Sequence, residues 1–262
     1  ADGGPGGRQL CAASWVDSKN NFYFYGGVGT GDDLWKYTPS NNTWVIIHGT
    51  TTLFAPPYYT KLREFDQRNT PGNKDETSVT FTDEQDNLWL FGGSSVWVYG
   101  DIDNGGFVNS NSFGNDLWQY NTHTNQWALM KGDTVQQPAI YGIKGVPSLN
   151  NMPSGGWVYA KWKDKLGKFW YFGGSQTDEI WKYDPVTNEW TFINGNKQDY
   201  GIKCVSSFCN YPGFRMENRA CWTDTSGNFW FFGGETQQTS VPINDLWKYN
   251  PAQQQWIWMG GD

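Results

Sequence analysis

Histidine is nearly absent, cysteine and methionine number four each, and no block of like charge interrupts the chain. The two histidines, His48 and His123, fall at unmatched places, so a metal centre of spaced His and Cys ligands is not supported. A Gly-x-Ser-x-Gly elbow, a Walker loop and a nucleotide-binding glycine fingerprint are all missing. No catalytic residue, cofactor or metal is therefore expected, and the chain does not read as an enzyme. No apolar run approaches the ~20 residues of a membrane-spanning helix, so no membrane span is expected. Helical apolar spacing is not found either, which argues against helical folds. The formal net charge of −7 opposes nucleic-acid binding, which needs a basic face. Its acids are scattered among turn residues, as on a solvated surface. The chain opens Ala1-Asp2-Gly3-Gly4 without Met or a signal peptide, and reads as a mature or trimmed product.

What is abundant is aromatic and glycine. Seventeen Trp, 14 Tyr, 16 Phe and 32 Gly among 262 residues suit short strands joined by tight turns. They are also periodic. A first block, an aromatic strand, an Asp-led turn, a second aromatic strand and a Gly pair, occurs four times. It runs from Trp15 and Asp17 to Phe22-Tyr23-Phe24-Tyr25-Gly26-Gly27, and from Phe81 and Asp83 to Leu88-Trp89-Leu90-Phe91-Gly92-Gly93. It returns from Trp162 and Asp164 to Phe169-Trp170-Tyr171-Phe172-Gly173-Gly174, and from Trp222 and Asp224 to Phe229-Trp230-Phe231-Phe232-Gly233-Gly234. The first Gly lies nine residues after the Asp in every copy. Pro5, Pro71 and Pro212 stand twelve residues before the Asp, and Pro153 eleven. A second block is a hairpin with tryptophans nine apart: Trp35 and Trp44, Trp118 and Trp127, Trp181 and Trp190, Trp247 and Trp256. Turn-forming residues lie between them.

Each copy thus supplies four strands. The second strand carries aromatics at consecutive positions and must be covered on both faces. Stacking each sheet between two like neighbours does this, and radial repetition provides the stacking. The expected fold is all-β, a four-bladed β-propeller with four antiparallel strands per blade, in one domain over 1–262. Blade one covers 1–49, blade two 50–132, blade three 133–195 and blade four 196–262. The Asp of each turn reads as a turn cap rather than part of a carboxylate set, and the hairpin Tyr as packing.

The two blocks together resemble the kelch repeat, a Gly pair after a hydrophobic strand followed by Tyr and Trp at fixed spacing. Secreted kelch-like proteins with a Trp-x-Asp turn and a Leu-Trp-x-Tyr hairpin are the nearest in pattern. Kelch propellers commonly have five to seven blades, so this chain either closes with four or is a segment of a larger ring. The related propeller of radical-copper oxidases needs Tyr and His copper ligands, for which no motif matches here.

Cys11 and Cys221 fall on the first strands of blades one and four, at offsets from their Asp that differ by three. That parity puts them on opposite faces and suggests a ring-closing disulfide. Cys204 and Cys209 can staple the linker before blade four, although four cysteines allow three connectivities and the alternative is free thiols. Disulfides would place the protein outside the cytosol, secreted or at a cell surface. Asn41-Asn42-Thr43 is a glycosylation triplet in the first hairpin turn.

Departures from the repeat are where binding is expected, because loops on a rigid scaffold carry it. The connection after Gly93 is the longest of its kind, and Trp97 and Tyr99 on this loop can anchor a protein partner or stack on a sugar. Their alternative is to cover the blade rim. The linkers Tyr141-Gly142-Ile143-Lys144 and Tyr200-Gly201-Ile202-Lys203 echo each other, which argues for structure. The function expected is a non-catalytic extracellular module for protein contacts or self-assembly; the alternative is a glycan-binding propeller.

Overall fold

The computed structural model describes residues 3–8, 13–52, 55–76, 79–99, 107–156, 158–174, 177–195, 211–217, 220–235 and 242–261. The chain divides into two compact units, Ala1–Gln137 and Pro138–Asp262. In the first, strands β1 (Ala13–Val16), β2 (Phe22–Tyr25), β3 (Leu34–Thr38) and β4 (Thr43–His48) form an antiparallel sheet in chain order. Next come β5 (Val79–Thr82), β6 (Leu88–Phe91), β7 (Ser94–Tyr99), β8 (Phe107–Phe113), β9 (Leu117–Asn121) and β10 (Gln126–Lys131). Of these, β5-β6-β9-β10 make the second sheet, while β7 and β8 pair as a separate two-stranded ribbon whose Ser94 also bridges to Glu76. The second unit holds β11 (Val158–Lys163), β12 (Phe169–Gly173), β13 (Ile180–Asp184) and β14 (Glu189–Asn194) as one sheet. Its other sheet is β15 (Ala220–Thr223), β16 (Phe229–Phe232), β17 (Leu246–Asn250) and β18 (Gln255–Gly260). The all-β class with four blades of four antiparallel strands is as expected from the repeat.

The repeated residues have repeated jobs. Each turn Asp binds its own loop: Asp17 Oδ1 accepts the amides of Lys19 and Asn21 at 2.9 and 2.8 Å. The residue six positions on then donates to Oδ2, namely Tyr23 at 3.0 Å, Trp89 and Trp170 at 2.8 Å and Trp230 at 2.9 Å. The cap and the aromatic strand are therefore one unit. Sheets within a unit are joined by another tryptophan: Trp15 Nε1 donates to the Trp89 carbonyl at 2.9 Å, and Trp162 Nε1 to that of Trp230 at 3.0 Å.

Every hairpin sets its Tyr opposite its second Trp, with ring centroids 4.7, 5.0, 4.9 and 4.8 Å apart in chain order. Such tilted aromatic pairs add stability beyond the area they bury. The Tyr hydroxyl then reaches the turn. Tyr37, Tyr120 and Tyr183 donate to Oδ1 of Asn42, Asn125 and Asn188 at 2.8, 3.2 and 2.8 Å. Those asparagines hold φ of +54°, +55° and +58°, a conformation that Asn tolerates better than most residues. The fourth copy has Gln254 there at φ +55°, and the buried Tyr249 hydroxyl has no partner among the described residues. Gln254→Asn is accordingly expected to raise stability by about 0.5–1.5 kcal/mol, the usual yield of one new hydrogen bond. Equilibrium urea unfolding checks it, with Asn188→Gln expected to give the reverse change.

Candidate functional site

The turn aspartates are engaged as caps, their carboxylates accepting from their own loops and from the aromatic residue six positions on. Asp224 shows the effect on charge: hydrogen bonds from the side chains of Asn228 and Trp230 hold its carboxyl well below the usual range. Among the described residues no group of three or more His, Cys, Asp and Glu is arranged to hold a metal ion. His48 is half-buried with Nε2 3.1 Å from the Gln67 carbonyl, and burial lowers its pKa. His123 is exposed in the hairpin turn of the second sheet. In the second unit a cavity of about 250 Å³ opens beside Asp178, Asn194, Tyr211 and Trp256.

A second set of acids, unread in the sequence, is buried. The residue two before the first hairpin Trp accepts that indole N–H: Asp116 from Trp118 at 2.7 Å, Glu179 from Trp181 at 2.8 Å and Asp245 from Trp247 at 2.7 Å, with Asp33 and Trp35 paired alike. Three of these acids also bind a cation. Arg8 pairs with Asp33, Lys74 Nζ lies 2.9 Å from Asp116, and Arg215 Nη2 lies 2.7 Å from Asp245. Each cation stands three residues after Pro5, Pro71 or Pro212, and that spacing was the available signal. The third copy has Gly156 at this place, and the Tyr141 hydroxyl donates to Glu179 instead. Burial and the Glu179 carboxylate push the Tyr141 phenol up. These sites pin the start of each blade to its third strand and are structural.

No family model matches the chain, and no curated protein matches it. Identification therefore rests on the geometry.

The residues singled out in the sequence are placed as follows. Trp97 and Tyr99 are not on a loop: both belong to β7, in register with Asn109 and Phe107 of β8. The Gly/Asn-rich stretch that suggested a loop is flanked by two pairing strands. Asn41 is exposed in the first hairpin turn, accepting from the Thr43 hydroxyl at 2.6 Å. Cys221 is a free thiol whose Sγ donates to the Lys161 carbonyl at 3.5 Å, and burial raises its pKa. It packs against the core shared by the third and fourth sheets. The thiol expected to close the ring against Cys11 instead faces the third sheet. Cys11, Cys204 and Cys209 lie outside the described residues, so no disulfide is seen among the described ones.

Of the two linkers that echo each other, the one from Tyr141 is structured, and Tyr200-Gly201-Ile202-Lys203 lies outside the described residues. The linker ahead of Pro71 is built like the first. In the first unit, Arg63 and Asp66 donate backbone N–H to the carbonyls of Leu129 and Trp127 at 2.8 and 3.3 Å, and Asn69 Nδ2 joins the latter at 2.9 Å. In the second unit, Gly145 and Ser148 reach the carbonyls of Phe192 and Trp190 at 2.8 and 3.1 Å, with Asn151 Nδ2 at 3.0 Å. Tyr59 and Tyr141 pack edge-on or tilted against Trp118 and Trp181. Each linker is thus a clamp along the outer strand of its own blade. An open strand edge is a template for pairing, and covering it is one way proteins manage the hazard. The same Tyr, Asn and Pro spacing recurs as Tyr200, Asn210 and Pro212, where residues 200–210 lie outside the described ones.

Proposed function

We propose that this chain is a non-catalytic interaction module of the kelch type, secreted or displayed at a cell surface. It joins copies of itself or a protein partner in an extracellular structure. The observation that carries this reading is the β7–β8 ribbon, an insertion in one blade of four that, among the described residues, pairs with no strand of the four sheets and meets the chain outside itself through the Ser94–Glu76 bridge. A two-stranded ribbon is marginal on its own and gains stability when something packs against it. Its sequence carries Trp97, Tyr99, Phe107 and Phe113, and aromatic residues are enriched at the centres of protein interfaces. The absence of a catalytic motif agrees with this reading.

The glycan-binding alternative is favoured by one feature, the placement of Trp97 and Tyr99 two residues apart on β7. Both readings meet one test. Residues 95–112 are replaced by a short Gly-Ser connection. Light scattering over a wide concentration range should then show assembly of the wild type and its loss in the variant, with the unfolding midpoint retained. A wild type that stays monomeric throughout and binds a glycan array, with binding lost in Trp97→Ala, would reverse the order of the two.

A further inference from the structure

The position four after the second hairpin tryptophan holds His48, Lys131, Asn194 and Gly260 in the four copies. The first blade alone carries a group there that titrates near neutral pH. His48 ends β4 and meets the linker that clamps β10. Its Nε2 lies 3.1 Å from the Gln67 carbonyl. A carbonyl only accepts, so Nε2 bears the proton of the neutral ring and Nδ1 is a bare acceptor. Nδ1 is buried, and no described residue donates to it. The ring also packs edge-on against Tyr120 of β9, with centroids 5.9 Å apart. Gln67 is one residue past Asp66 and two before Asn69, the residues whose N–H groups hold the Trp127 carbonyl. The imidazole thus joins the first blade to the very turn of the linker that grips the second.

We propose that His48 is an acid-sensitive latch on this clamp: neutral, it holds the linker turn against β4, and protonated, it lets the turn go. Protonation puts a buried N–H on Nδ1 with no acceptor among the described residues, and a full charge beside it. Swinging the ring into solvent relieves both and breaks the bond to Gln67. The charges around the ring do not offset this cost. Asp32, just before β3, is the charged group that bears on the imidazole, and it favours the protonated form. Its carboxylate is already taken by the Thr50 amide and the Thr70 hydroxyl, at 2.9 and 2.8 Å. In the linker Asp66 and Arg68 pair with each other beside Gln67. Burial keeps the Tyr120 phenol on β9 from ionising, and β4 itself has no other titratable residue. Burial outweighs Asp32, so the folded ring titrates below its usual range. An opened turn leaves His48 in water, where it binds protons more readily. The clamp is therefore at full strength above the ordinary imidazole value of about 6.5 and weakens as the pH falls through the lower folded value. Acid frees the carbonyls of Trp127 and Leu129 on the edge of β10, and a freed edge is a template for pairing. The latch lies in the clamp and owes nothing to the ribbon.

Hydrogen exchange at four backbone amides is the test. Those of Arg63 and Asp66 donate to β10, and those of Gly145 and Ser148 make the matching bonds to β14, where Asn194 takes the place of His48. Protection factors, corrected for the intrinsic pH dependence of exchange, are compared between about pH 7.5 and about pH 5. In acid they should fall at least about threefold at Arg63 and Asp66 and stay constant at Gly145 and Ser148. His48→Gln keeps an N–H donor for Gln67 but cannot titrate, and should abolish the fall. His123→Gln, in an exposed hairpin turn, should behave as the wild type. Constant protection at all four amides, an equal fall at all four, or a fall that survives in His48→Gln would overturn the latch. Should His48→Gln fold poorly, the wild-type contrast between the two clamps decides alone.

Discussion

Arg215→Met is expected to destabilise the protein by about 3–5 kcal/mol, the usual cost of removing one partner of a buried ion pair. Both side chains of the Arg215–Asp245 pair are fully buried. Asp245 Oδ2 takes N–H groups from Arg215 and Trp247, each at 2.7 Å, whereas Asp245 Oδ1 and Arg215 Nε have no partner among the described residues. The intact pair is therefore imperfectly satisfied and contributes little net stability. Removing the cation alone is another matter, because it leaves a carboxylate in the core with one indole N–H for company. The double variant Arg215→Met, Asp245→Asn should recover most of the loss, since Asn can still accept from Trp247 and carries no charge. The third copy already uses this solution in part, with the Tyr141 phenol in place of a cation. Arg68→Ala, which breaks the exposed pair with Asp66, should leave the urea midpoint unchanged. Urea titrations followed by tryptophan fluorescence, read at constant m-value, distinguish the three. A double variant as unstable as the single one would show that Arg215 acts by packing its stem rather than by neutralising Asp245.

That site also shows which parts of the molecule were legible in the residues. The turn caps and hairpin pairs are local: Asp17 bonds residues within six positions, and Tyr37 faces Trp44 across one turn. Short-range spacing repeated four times is enough to find them. The ion pairs join residues 25, 42 and 30 positions apart, so no window that shows the Pro-led cation also shows its acid. Only alignment of the copies brings Arg8, Lys74 and Arg215 into one column, and Gly156 interrupts it. The ribbon was misread for a different reason. Between Gly93 and Asn115 the polar and glycine residues outnumber the apolar ones, and pairing of Trp97 with Asn109 has no counterpart in the other copies to reveal it. The direction faced by Cys221 depended on which sheet neighbours which face, and alternation along one strand cannot supply that.

A last prediction isolates backbone crowding from backbone strain. Gly49→Ala is expected to cost on the order of 4 kcal/mol, at the upper end for a single substitution, while Gly29→Ala costs only about 1–2 kcal/mol. The two glycines have nearly the same conformation, φ +75° and +78°, so the penalty for placing an L side chain in the left-handed region is common to both. Their surroundings differ. A Cβ on Gly29 meets nothing within 4 Å, whereas one on Gly49 would lie 2.0 Å from the Asp32 carbonyl oxygen. That oxygen cannot retreat cheaply, because the Asp32 side chain is held at the same point by the Thr50 amide at 2.9 Å and the Thr70 hydroxyl at 2.8 Å. Shifting it would loosen the junction between the first blade and the linker that clamps the second. The arrangement is repeated: Gly132, Gly195 and Gly261 each stand five residues after the second hairpin Trp, all with positive φ. On Gly195 and Gly261 a Cβ would approach backbone atoms to 2.5 and 2.3 Å. Equal losses at positions 49 and 29, measured by urea unfolding, would mean that strain alone accounts for this glycine. A larger loss at 49 would make it the point where each outer strand is tucked against the chain entering its third strand, which is where a four-stranded sheet of this repeat is closed off.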